Sequence, residues 1–290
     1  MTLILDGKSV SMKFLENIKL EIENSRLNPK LEIIYVGNDP ASEVYINNKI
    51  RTAGEIGISA HVTHFDKIQN VEELTSVIDF FNKDDSINGI IVQSPIPGIE
   101  DQNYIFDRII PQKDVDGFST VNMGKLAKGD IDGFISCTPL GIFNLLISYD
   151  IKISGKHVVI IGRSNTVGRP LSLLLSQKLE GYNATVTLCH SGTKNLQEIT
   201  KLADIIVVAV GRKHFLKKDM IPANGAVVVD VGINRESDNE NQGRYKIFGD
   251  ADFYNIKDMC SAITPVPGGV GPMTVAMLMQ NTLKAAKLQF

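Results

Sequence analysis

Residues 158–170 read VVIIGRSNTVGRP, and this stretch limits the fold most sharply. Four consecutive β-branched residues leave no polar face, so the segment reads as a strand buried on both sides. Such strands belong to parallel sheets covered by helices. The strand ends at Gly162, and a helix-like segment opens after Gly168. A buried parallel strand, a glycine turn and a helix N-terminus offer backbone N–H groups to a pyrophosphate. The spacing is not the usual GxGxxG. Ser164 replaces the second glycine and the last glycine falls one position late. By these residues alone, an ordinary strand-to-helix turn remains the alternative.

The rest of the chain alternates in the same way. Helical periodicity over 8–25 is followed by a strand at 31–36. Asp39-Pro40 then reads as an N-cap with proline at the first helical position, opening a helix over 40–56. A strand over 58–65, a helix over 71–81 and a strand over 89–93 complete a first series, and Pro95 and Pro97 break the last of these. A looser region includes the turn-rich PQKDVDG at 111–117, and a helix over 139–149 leads into a second series. There the pattern predicts strands at 157–161, 184–188, 204–210 and 226–231, with helices near 168–179 and 194–202. The polar run 236–243 reads as a solvated loop or hairpin tip, and an apolar helix over 274–288 closes the chain. Strand–helix alternation predicts an α/β protein with parallel sheets.

A length of 290 residues fits two domains of ordinary size. The boundaries read as 1–138, with 272–290 returning to it, and 139–271 for the dinucleotide unit. A net charge of −3 supplies no basic stripe for a nucleic-acid partner. No apolar run approaches the roughly 20 residues that span a bilayer, so no membrane association is expected. MTLILDGKSV has no basic region leading into an apolar one, so no secretory signal is expected. Cys137, Cys189 and Cys260 are far apart and cannot all pair, which fits a reducing cytoplasm. The five histidines form no ligand set. His61 and His64 have opposite parity on one strand, so no metal site is expected.

Four places carry possible chemistry. Many dinucleotide units bind the ribose through an acid at the end of the second strand. Here that strand ends Leu188-Cys189-His190-Ser191, and Arg163 lies beside the glycine turn. An arginine, a histidine and a serine in place of an acid favour a 2′-phosphate, hence NADP over NAD. Tyr45 and Lys49 lie four apart on one helix face, and a lysine partly buried beside an aromatic can serve as an acid or base. Gln93 ends a strand whose carboxyl end is where ligands sit in open parallel sheets. In KDVDG, Asp114 and Asp116 either cap backbone N–H groups or accept two N–H bonds from an aminopyrimidinone ring. A fifth stretch, PVPGGVGP at 265–272, is a rigid loop that can press its backbone against a flat ligand.

Tyr45-x-x-x-Lys49, Val92-Gln93-Ser94-Pro95-Ile96-Pro97, Lys113 to Phe118, Gly162-Arg163-Ser164, Val167-Gly168-Arg169-Pro170 and Thr264 to Thr274 occur in that order. This set resembles the bifunctional methylenetetrahydrofolate dehydrogenase/methenyltetrahydrofolate cyclohydrolase family over essentially the whole chain. The resemblance implies an N-terminal folate-side α/β domain, a Rossmann NADP domain, a cleft between them, and a homodimer. It implies that Lys49 is the central catalytic residue, with Tyr45, Gln93 and Asp116 around the folate beside Val92 and Ser94. It assigns Gly162, Arg163, Ser164, Val167, Gly168, His190, Ser191 and Ile233 to the cofactor. Pro267, Gly268, Gly269, Val270, Gly271, Pro272 and Met273 are expected along the folate. Ser94, Ser136 and Ala251 depart from the family pattern.

Two other readings compete. Another two-domain NADP dehydrogenase, acting on a shikimate-like hydroxy acid, would also carry a Lys/Asp pair but has no reason to hold PVPGGVGP. A non-catalytic NADP-binding regulator has no need of Lys49, Tyr45, Gln93 and Asp116 together.

Overall fold

The computed structural model describes residues 2–237 and 245–290. In chain order, β1 (Leu3–Ile4) precedes α1 (Gly7–Glu23), β2 (Lys30–Val36), α2 (Pro40–Glu55) and β3 (Ser59–Phe65). Then come α3 (Val71–Lys83), β4 (Gly89–Val92), α4 (Asn103–Arg108), α5 (Thr120–Ala127) and α6 (Cys137–Ser148). The second series is β5 (His157–Ile161), α7 (Gly168–Leu175), β6 (Thr185–Cys189), α8 (Leu196–Thr200), β7 (Ile205–Val208) and β8 (Val227–Asp230). It ends with β9 (Asn234–Ser237), β10 (Tyr245–Phe248), α9 (Phe253–Ile256), β11 (Ala262–Ile263) and α10 (Val270–Gln289).

The chain divides into two compact units. One holds Met1–Ser11 and Thr138–Thr274, and the other holds Met12–Cys137 and Val275–Phe290. The first contains a six-stranded parallel sheet in the order β1-β11-β8-β7-β5-β6. From β5 the chain goes first to β6 on one side and then to β7 on the other. That reversal makes the carboxyl ends of β5 and β7 a switch point, where open α/β sheets receive ligands. The sheet is apolar on both faces: Val158, Val159, Ile160, Val207, Val208, Val228 and Val229 have essentially no exposed surface. Each such side chain contributes about 1.5–3 kcal/mol on burial. The N-terminal β1 pairs with β11 through Leu3↔Ala262 and Ile4↔Ile263. Two-residue strands carry no periodicity, so neither was legible beforehand.

The second unit is a three-stranded parallel sheet in the order β3-β2-β4. Its core gathers Ile34, Val36, Leu74, Ile78, Ile90, Val92, Ile105 and Phe106. Asp39 caps α2 as its sequence predicts, with the Ser42 N–H donating to Asp39 Oδ2 at 3.0 Å. The region read as loose contains α4 and α5. Ser119 caps α5 by accepting from the Asn122 N–H. Helix α10 starts at Val270 rather than 274, because Gly271 and Pro272 fall in its first turn, where a missing N–H is harmless. From Val275 onward α10 belongs to this unit, with Val275, Met277, Leu278, Met279 and Leu283 buried. Strands β9 and β10 form an antiparallel pair, consistent with a hairpin. Most of the expected polar tip, 238–243, lies outside the described residues.

Candidate active site

In the unit built on β3-β2-β4, α2 carries Tyr45 and Lys49, one helical turn apart and both partly exposed. Gln93 follows β4 directly. The Lys49 Nζ donates to Gln93 Oε1 at 3.0 Å. The other end of the amide is also fixed, since Gln93 Nε2 donates to the Ser94 carbonyl at 2.8 Å. That second bond decides the amide orientation and turns its oxygen toward the lysine. Ser94 in turn donates from Oγ to Gln102 Oε1 at 2.8 Å, and the Ser94–Pro95 peptide is cis. The family departure at Ser94 is thus a satisfied hydroxyl. Val92 is buried at 2% exposure, so its side chain belongs to the core.

The KDVDG turn separates its three charged groups by role. Lys113 is buried, and its Nζ donates to the carbonyls of Phe81, Asn82 and Asp84, closing the end of α3. Burial lowers its pKa. Asp114 is also buried and accepts from the Phe118 and Ser119 N–H groups and Asn122 Nδ2. It is the capping carboxylate. Asp116 keeps part of its surface and lies under the influence of Lys49. Burial pushes the Asp116 carboxyl above its ordinary range. The Lys49 ammonium acts against that shift, the Asp114 charge adds to it, and a hydrogen bond with Cys137 opposes it. Backbone pairing of Ile90 with Asp114 brings this turn alongside β4.

Several groups that hold this turn were not legible in the sequence. Asn281, on α10, is 3% exposed. Its Nδ2 donates to the carbonyls of Val115 at 2.8 Å and Ile135 at 3.1 Å. Ser136 donates from Oγ to the Gly117 carbonyl at 3.1 Å, so this family departure also has a structural task. Gly117 has φ +70° and packs on the 134–136 backbone where a Cβ would overlap it. The buried Cys137 thiol is pushed well up, first by burial and then by Asp116. None of these contacts has a local sequence pattern, since each joins residues far apart in the chain.

In the six-stranded unit, Gly162 has φ +122° and its Cα faces the Ala209 carbonyl at the switch point, where a Cβ would overlap that oxygen. A Cβ on Gly168 would overlap the Gly162 carbonyl. Both glycines are therefore required by close backbone approach. The Ser164 Oγ accepts from the Val167 N–H at 3.1 Å, which folds the turn ahead of α7. Arg163, Ser164 and Ser191 are exposed, so core packing consumes none of them. His190 Nδ1 accepts from the Gly192 N–H at 3.1 Å, leaving Nε2 to carry the ring proton. The exposed backbone turn at a switch point, with an arginine and a serine alongside, fits a phosphorylated dinucleotide. Ile233 follows β8 with 41% exposure, near Gly271. In the 265–273 loop, Pro267, Gly268, Gly271 and Pro272 keep surface, whereas Gly269 and the side chains of Val270 and Met273 are buried. Any ligand contact from Gly269, Val270 or Met273 therefore has to be made by backbone. The loop is anchored by the Lys8 N–H, which donates to the Gly268 carbonyl at 2.9 Å, and the Val266–Pro267 peptide is cis.

A parallel sheet with a glycine turn at its switch point, and a second α/β unit with a lysine–glutamine pair beside a carboxylate, define a two-unit dinucleotide-dependent enzyme. Residues 136–290 match the NAD(P)-binding domain of tetrahydrofolate dehydrogenase/cyclohydrolase, and residues 5–116 match its catalytic domain. The chain belongs to the tetrahydrofolate dehydrogenase/cyclohydrolase family. It is 47% identical over 287 residues to the bifunctional protein FolD of Chlorobium phaeobacteroides (strain BS1), covering 97% of this chain and 96% of that one. A crystal structure of the bifunctional FolD dehydrogenase/cyclohydrolase from Campylobacter jejuni is 43% identical, with full coverage of both chains and a TM-score of 0.92. The Trypanosoma brucei enzyme, solved with NADP cofactor and inhibitor, is 30% identical over 99% of this chain and 98% of its own, with a TM-score of 0.91. An NADP+-bound shikimate dehydrogenase, 13% identical with a TM-score of 0.51, shares the fold alone.

Proposed function

We propose that the protein oxidises 5,10-methylenetetrahydrofolate with NADP+ to the 5,10-methenyl cation and hydrolyses that cation to 10-formyltetrahydrofolate. The observation that carries the reading is the Lys49–Gln93 hydrogen bond beside Asp116, in a chain of this family. When bound, NADP+ supplies the hydride acceptor for the bridging methylene carbon. The glycine turn after β5 receives the pyrophosphate, and Arg163, His190 and Ser191 receive the 2′-phosphate. Val167 and Ile233 complete the cofactor contacts.

The first step asks the chain for orientation, because the ring nitrogens push the hydride out. Asp116 accepts the N–H groups of the pterin ring, and the Lys49 ammonium acts against the upward shift that burial gives its carboxyl. Tyr45 and the backbone around Val92 and Ser94 shape the folate seat. The second step moves protons. Water oxygen bonds to the methenyl carbon and loses one proton to give a neutral carbinol. The bond from that carbon to one ring nitrogen breaks as the nitrogen takes a proton, and the carbinol hydroxyl gives up its own proton to become the formyl carbonyl, so that one proton is released overall. Lys49 is the group placed to relay these protons, and Gln93 fixes its position.

The shikimate-type and regulator readings are both weaker. Neither requires the 265–272 loop together with the lysine, glutamine and carboxylate set. The same proposal carries a cytoplasmic setting and a homodimer, the latter measured by sedimentation of the purified chain. The direct test mixes protein, NADP+ and methylenetetrahydrofolate and follows NADPH, methenyl and formyl products. All three should appear, with NAD+ a poorer substitute. A folded preparation that makes no NADPH from methylenetetrahydrofolate, or that oxidises a shikimate-type hydroxy acid instead, would overturn the reading.

A further inference from the structure

Within the six-stranded unit, two buried carboxylates lie at the carboxyl ends of β7 and β8. Asp250 has no exposed surface and Asp230 is 2% exposed. Asp250 Oδ2 accepts from the N–H groups of Val210 at 2.6 Å and Gly211 at 2.9 Å. Its Oδ1 accepts from the Arg212 N–H at 2.8 Å and Asn234 Nδ2 at 2.9 Å. Four donors fill the lone-pair sites of one carboxylate. Asp230 Oδ1 accepts from the N–H groups of Gly232 and Asp250, both at 2.9 Å, and its Oδ2 accepts from Ala251 at 2.8 Å. The Asp230 N–H donates to Thr264 Oγ1 at 2.8 Å.

The glycines around the pair are fitted to it. A Cβ on Gly232 would overlap the Asp250 carboxyl, and one on Gly249 would overlap Asp230 Oδ2. The backbone of 249–252 is also tied to the loop after β7, through the His214 N–H to the Gly249 carbonyl and the Leu216 N–H to the Asp250 carbonyl. Burying two neighbouring acids is costly, and apolar residues pack a core without that cost. Backbone geometry is what this arrangement supplies. Six N–H groups are held by the pair, in the segments that leave β7 (Val210, Gly211, Arg212), leave β8 (Gly232), and pass beneath both (Asp250, Ala251).

The first segment continues directly from Ala209, which Gly162 meets at the switch point, and Gly232 in the second is followed by Ile233. We propose that Asp250, seated on Asp230, is a positioning residue for the dinucleotide: it sets the Val210–Arg212 and Gly232–Ile233 loops in the shape that receives the cofactor. The inference rests on the reading that this unit binds NADP+.

The test uses Asp250→Asn in the full chain. Asparagine keeps the size but turns an amide donor toward N–H groups that now have a carboxylate oxygen. NADP+ Kd and the KM for NADP+ should rise by about tenfold or more, the effect of losing hydrogen bonds to a charged acceptor. Cyclohydrolase activity, assayed on methenyltetrahydrofolate without NADP+, should stay close to wild type. Unchanged NADP+ affinity in the folded variant would overturn the proposal, as would equal loss of both activities, which marks a merely structural role. If Asp250→Asn does not fold, Asn234→Ala removes one of the four donors and should raise the NADP+ Kd by a few fold without touching cyclohydrolase. No change there would also overturn it. Failure of the wild-type chain to bind NADP+ would instead defeat the cofactor reading itself.

Discussion

Asp114 and Asp116 stand two residues apart in one turn and face different tasks. Asp114 is spent on two backbone N–H groups and an asparagine amide. Asp116 keeps surface and answers to Lys49. Asp116→Asn should therefore weaken folate binding and leave NADP+ affinity alone, because the substitution exchanges an acceptor oxygen for a donor at the pterin. Calorimetric titration of each ligand checks this, and unchanged folate affinity in a folded variant would remove Asp116 from the pterin. Arg163 is the matching residue proposed for the cofactor side. Arg163→Ala should weaken NADP+ by about 1–3 kcal/mol, the range of a charge-assisted hydrogen bond. NAD+ should change much less, since it lacks the 2′-phosphate. Equal weakening of both cofactors would make Arg163 structural and leave the NADP preference without its main support.

Among the elements, α10 contributes most beyond its own packing. Asn281 reaches from it to the carbonyl of Val115, within the Asp116 turn, and to that of Ile135, on which the turn packs. Asn281→Ala leaves buried acceptors without that donor and should cost about 2–3 kcal/mol, read from the denaturation midpoint. It should also weaken folate binding more than NADP+ binding; the reverse order would contradict the role given to α10. Legibility followed the range of each interaction. Lys49 and Tyr45 could be read because helical spacing puts them on one face, and the turn after β5 because a β-branched run ends in glycine. Asp114 and Asp116 could not be told apart, because burial and partners decide between them. Asn281, Cys137, Asp230 and Asp250 act across the fold and have no local pattern. The start of α10 at Val270 is not legible in the sequence, because proline looks like a terminator unless its position in the first turn is known.

For the whole molecule, the two chemistries proposed for one chain make different demands. Hydride transfer needs the cofactor loops of the six-stranded unit and a positioned folate. Cyclohydrolysis needs no cofactor but does need proton transfer, and Lys49 is assigned to it. Lys49→Met keeps the length and apolar stem of the side chain and removes the amine. The most direct measurement takes one preparation of this variant and follows NADPH formation from methylenetetrahydrofolate and hydrolysis of methenyltetrahydrofolate separately. Cyclohydrolase should fall by at least about 10²-fold, the lower end of general acid–base contributions. Dehydrogenase should fall less, by what Lys49 gives in orienting the folate. Retained cyclohydrolase activity would contradict the proton-relay assignment, and equal loss of both would reduce Lys49 to a positioning residue.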